Sequence, residues 1–77
     1  MNEAGALQQA MLEAHDTNDL AELAALYQHA GTQREAAGEI DAACFFYTHA
    51  YVYALDAGEQ AIAANARKQL KLHGRER

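Results

Sequence analysis

The chain has 77 residues, about half of them apolar, no proline and a single cysteine, Cys44. It is expected to form one domain near the lower size limit for a lone hydrophobic core, without an internal disulfide to staple it. The net charge of −5 is uneven: residues 1–66 hold ten acids against Arg34 alone, a local −9, while residues 67–77 carry +4. An acidic body without a basic stripe excludes a nucleic-acid surface, and no apolar run approaches the roughly 20 residues that cross a bilayer.

The opening stretch has no basic residue followed by an apolar run, which speaks against a secretory signal. With one cysteine and no membrane segment, the expectation is a soluble protein of a reduced, cytoplasmic compartment. Alanine, glutamine, glutamate and leucine dominate the composition, so helix propensity is high nearly everywhere. The fold class predicted is all-α, a single helical domain over 1–77 made of four helices.

The first helix is predicted from about Glu3 to Ala14, with Leu7, Ala10, Met11 and Ala14 on one side and a turn from His15 to Asn18. Asp19 then has the chemistry of an N-cap, with Glu22 three residues on to complete a capping box. The second helix runs to Ala37 with a stripe of Leu20, Leu23, Ala24, Tyr27, Ala30 and Gly31. A glycine inside a helix costs about 1 kcal/mol relative to alanine, so Gly31 predicts close approach by an aromatic of the third helix. Gly38 suits a left-handed helix end.

The third helix, Ile40 to about Ala57, is the most informative. Its main stripe is Ile40, Ala43, Cys44, Tyr47, Ala50, Tyr51, Ala54 and Leu55, but the opposite side is also apolar, with Phe45, Phe46, Val52 and Tyr53. A helix apolar almost all round is expected to be buried almost all round. Four short helices cannot easily cover both faces of the central one. This predicts self-association, as a homodimer, through the second face, with Phe46, His49 and Tyr53 at the interface; the competing expectation is that the first and fourth helices fold over that face within one molecule, leaving a monomer.

Gly58 ends that helix. The fourth starts near Glu59, presents Ile62, Ala63, Ala66 and Leu70, and stops before Gly74. Arg67, Lys68 and Lys71 fall in its last turns, where cations complement the helix dipole; the alternative reading is that the basic segment 67–77 recruits an acidic partner or a phosphate. Connections this short make consecutive helices antiparallel, a series of helical hairpins.

Leu23, Ala24 and Tyr27 on the second helix, with Ala43, Tyr47 and Ala50 on the third, resemble a tetratricopeptide repeat. The hairpin here is longer than the family's usual one, and no proline closes it. The resemblance implies tetratricopeptide-like packing, and it implies a partner groove on the outer side of the second helix at Asn18, Ala21, Ala25 and Gln28. The lysine or arginine with which some members clamp a peptide carboxylate has no counterpart at those positions.

No catalytic constellation is expected. Serine is absent, and Cys44 and His49 lie about 140° apart on a helix of 100° per residue, too far for a thiolate and its base. Among the histidines only His15 has a ligand at i+4, Asp19, and that pair straddles a turn, so no metal or cofactor is predicted. The functional expectation is a non-enzymatic protein–protein interaction module that binds itself or another protein. The alternative is a ligand or metal sensor built on Tyr47, Tyr51 and Tyr53 with the histidines and Cys44 of the central helix.

Overall fold

The computed structural model describes residues 3–75, with side chains from Gly5 onward. Four helices follow one another: α1 (Glu3–Thr17), α2 (Leu20–Ala36), α3 (Ile40–Ala57) and α4 (Gln60–Leu72). Among the described residues there is no strand, so the fold is all-α, as predicted.

All four helices end by the same device. Asn18, Gly38, Gly58 and Gly74 take φ of 55°, 78°, 75° and 70°, and the amide that follows each reaches back across the last turn. Asp19 donates to the Ala14 carbonyl, Glu39 to Arg34, Glu59 to Ala54 and Arg75 to Leu70, at 2.8–3.0 Å. These bonds satisfy carbonyls that a helix end leaves orphaned. A side chain at the left-handed position crowds the backbone, which is why glycine, and once asparagine, stands there. The pattern is equally spaced at Asn18-Asp19, Gly38-Glu39 and Gly58-Glu59. In α2 and α3, Tyr-x-His-Ala precedes it, at Tyr27 to Ala30 and again at Tyr47 to Ala50.

The first boundary differs from expectation. Helix α1 continues through His15 and Asp16 to Thr17 instead of turning after Ala14. The Thr17 hydroxyl bonds back to the Glu13 and Ala14 carbonyls, and Asn18 alone makes the turn. At Asp19 half of the expected capping box forms, with Oδ1 accepting from the Glu22 amide at 3.1 Å, while the Asp19 amide that Glu22 was expected to engage donates to the Ala14 carbonyl instead.

Packing centres on α3. Its Ala43, Ala50 and Ala54 are fully buried, and such small residues let α2 and α4 approach closely. Ala24 of α2 and Ala63 of α4 cluster with Ala54; Ala66 and Leu70 of α4 cluster with Cys44, Tyr47 and Ala50. Contacts therefore run in reverse order along each pair, as antiparallel helices require. Gly31 has the role expected of it: a Cβ there would lie 2.8 Å from Cδ1 and Cε1 of Tyr47. The Tyr47 ring fills the space a side chain on α2 would occupy, and it is 1% exposed.

Burial of α3 on all sides is not what the structure shows. Phe45, Val52 and Leu55 are 57%, 50% and 56% exposed. The backbone of α1 approaches only α2, and that of α4 approaches α3 and α2. Among the described helices only α2 and α4 bring their backbones against α3, and Leu55, assigned by periodicity to the inner stripe, sits at the open edge of the α3–α4 groove.

Candidate functional site

Tyr27 of α2 projects into the second face of α3 and gathers the residues predicted for an interface. Its ring stacks on His49 at 5.4 Å and 21°, and it meets Tyr53 at 5.4 Å and Phe46 at 6.0 Å. His15, brought over by the extra turn of α1, closes the cluster: its Nε2 shares a 3.2 Å hydrogen bond with the Tyr27 hydroxyl, and its ring lies edge-on to Tyr53. Phe45 extends the row outward, 4.4 Å from His49 and 5.5 Å from Phe46 between ring centres. Phe46, His49 and Tyr53 are thus brought together, each half-buried against the chain's own Tyr27.

The tautomer of His49 follows from its partner. Nδ1 lies 2.9 Å from the Phe45 carbonyl, which only accepts, so Nδ1 carries the proton. Burial, and secondarily the Tyr53 hydroxyl, raise the pKa of Tyr27 above its ordinary 10.0. Tyr27 is therefore neutral at physiological pH. The cluster offers ring faces and edges, with one polar link, the hydrogen bond between His15 and Tyr27.

A second polar assembly joins three helices. The Tyr47 hydroxyl donates to Glu35 Oε1 at 3.1 Å and lies 3.3 Å from the Thr32 hydroxyl. The other oxygen of Glu35 accepts from His73 Nε2 at 2.6 Å. One carboxylate thus ties α2 to α3 and to the residue that caps α4. Burial raises the Tyr47 pKa most; the Glu35 charge adds to the rise and the Thr32 bond opposes it. Arg75 Nη2 donates to Asp41 Oδ1 at 2.5 Å, so part of the basic C-terminal segment is turned back onto the chain's own acid.

The groove positions taken from the repeat resemblance do not form one open surface. Asn18 occupies the left-handed turn and is exposed, Ala21 and Ala25 are half-buried, and the Gln28 carboxamide oxygen accepts from Asn65 Nδ2 of α4 at 2.8 Å. The tyrosines of the alternative pocket diverge as well. Tyr47 is buried beneath Gly31, Tyr51 lies toward α4 and Tyr53 toward Tyr27. Cys44 is a buried free thiol within the core, on the other side of α3 from His49. His15 turns to Tyr27 while Asp19 caps α2, so the two do not converge. Among the described residues no three His, Cys, Asp or Glu side chains gather closely enough to hold a metal ion, and no helix is long and apolar enough to cross a membrane.

Sequence reasoning placed Phe46, His49 and Tyr53 on one face but gave Tyr27, their hub, to the core stripe. It named Phe45 and Val52 as apolar on that side but left them out of the interface; they form the outermost row, between Asp41 and Asp56, on the side of α3 opposite Ala43, Ala50 and Ala54. That spacing was the available signal. No protein-family model, curated protein or solved structure matches the chain.

Proposed function

We propose that this chain is a small, non-enzymatic protein–protein interaction module that associates with a second copy of itself through the outward side of α3. The observation that carries this reading is the pair Phe45 and Val52, half-exposed on the helix that otherwise makes the core and bordered by the rings of Phe46, His49 and Tyr53. Aromatic side chains are enriched at interface centres, and contiguous exposed apolar surface on a small protein marks a site of association. A chain of this size also gains proportionately more from added burial than a larger one does.

The tetratricopeptide-like reading of α2 and α3 is supported by the way small residues face aromatic ones, with Gly31 beneath Tyr47. A peptide partner along Asn18, Ala21, Ala25 and Gln28 is the lesser reading, because Gln28 is already engaged by Asn65. A reducing, cytoplasmic location suits the buried thiol of Cys44.

Sedimentation equilibrium tests the proposal. In about 1 M NaCl, where contacts between exposed charges are screened, the wild-type chain should sediment as a dimer, and Phe45→Glu or Val52→Glu should yield folded monomer, because a carboxylate would be stranded in the desolvated contact. A wild-type chain that stays monomeric at high micromolar concentration would sink it.

A further inference from the structure

The two terminal helices carry opposite charge. α1 holds Glu3, Glu13 and Asp16 with no lysine or arginine, and α4 holds Arg67, Lys68 and Lys71 with no aspartate or glutamate. The backbones of α1 and α4 do not approach one another, and Glu13 and Asp16 on the one and Lys68 and Lys71 on the other are exposed. Each outward face also has an apolar centre. On α1, Leu12 is 55% exposed beside Glu13 and Asp16; on α4, Leu72 is 68% exposed and lines an open groove with Ala64, Lys68 and Lys71. That groove shares Ala64 and Arg67 with a second one, which runs on to Leu55 of α3.

In an array of stacked helical hairpins each helix is covered by its neighbour, and the terminal helices expose what a further unit would cover. Pairing α1 with α1, or α4 with α4, would set like charges against each other across the contact, which disfavours it. Only α4 against α1 joins opposite signs around apolar centres. We infer that the outward face of α4 binds the outward face of α1 on a second copy, head to tail. Such a contact is heterologous: a pair keeps one face of each kind unused, so association continues into a ring or a filament instead of stopping there. The inference rests on the self-association proposed above and adds to it a contact separate from α3.

The test uses the full chain carrying Phe45→Glu, which removes the α3 contact. In that background the protein should still associate at low salt and should dissociate in about 1 M NaCl, where the screening length is about 3 Å. Two charge swaps at exposed positions then separate the faces, Glu13→Lys with Asp16→Lys on α1 and Lys68→Glu with Lys71→Glu on α4. Circular dichroism reports whether each remains helical. Each alone should sediment at the monomer mass of 8.4 kDa. Mixed in equal amounts, they should regain at least twice that mass, since every α1–α4 contact is again one of opposite sign. Adding Leu72→Ser to both should abolish the gain.

A mixture that remains monomeric, while the wild type is a dimer broken by Phe45→Glu, overturns the head-to-tail contact and leaves the α3 reading standing. A wild type and a mixture that are both monomeric overturn both. Association of the mixture that is indifferent to Leu72→Ser is bulk charge attraction and also overturns the inference.

Discussion

Tyr27 and Tyr47 occupy matching places in the Tyr-x-His-Ala pattern shared by α2 and α3, yet they meet opposite surroundings. Tyr47 faces Gly31 across the α2–α3 seam, its ring closed off from solvent and its hydroxyl bound by Thr32 and Glu35. Tyr27 faces His15, Phe46, His49 and Tyr53, and it stays part-buried. The residue type is the same, and the size of what stands opposite decides its role. Small residues opposite a ring let the backbones approach until the ring becomes core. Rings opposite a ring hold the surface apart, partly wet and apolar, which is the condition for association.

The largest effect that could break this comparison is truncation of the two rings. Tyr47→Ala should cost about 3–5 kcal/mol, the range for a buried aromatic, and Tyr27→Ala only about 1–2 kcal/mol, since its side chain is part-buried and loses less burial. Equal losses in chemical denaturation would mean that both rings are core.

The seam itself supplies the next test. Ala43→Leu should overpack α3 at a fully buried position, and Gly31→Ala should drive a methyl group into Tyr47; each is expected to cost about 1–3 kcal/mol. For Gly31→Ala this outweighs the gain of about 1 kcal/mol in helix propensity. A neutral result at either position would show that the helices separate easily there.

Alkaline pH distinguishes the tyrosines by titration. Burial is the first cause of the raised pKa at both, with the Glu35 charge adding at Tyr47 and the Tyr53 hydroxyl at Tyr27. Between 10.0 and the raised values, the native state keeps protons that the unfolded chain has released. Stability from this source is therefore fully present below pH 10 and declines as pH rises past it. The unfolding midpoint should fall above pH 10, less steeply in Tyr47→Phe. An unchanged slope in that variant would assign the decline to other groups.

The smallest effect on stability belongs to the outermost row. Phe45→Glu, compared with wild type at concentrations where both are monomeric, should lie within about 0.5 kcal/mol, while abolishing the α3 dimer. A large loss in the monomer would place Phe45 in the core after all.

Much of the architecture was legible in the residues themselves. Left-handed turns at Gly38 and Gly58, the Asp19 cap, the all-α class and an aromatic against Gly31 follow from local chemistry that is spent within a few residues. Part of the site was legible for the same reason: helical periodicity alone places Phe46, His49 and Tyr53 on one side of α3. Which of its two apolar sides would be covered could not be read, because both have the composition of a core face. That was decided by α1, which the tight Asn18-Asp19 connection folds back along α2, leaving Phe45 and Val52 in solvent. The bonds of His73 to Glu35 and Arg75 to Asp41 join residues 38 and 34 positions apart. They depend on where three packed helices bring their ends, a property that no window of sequence contains.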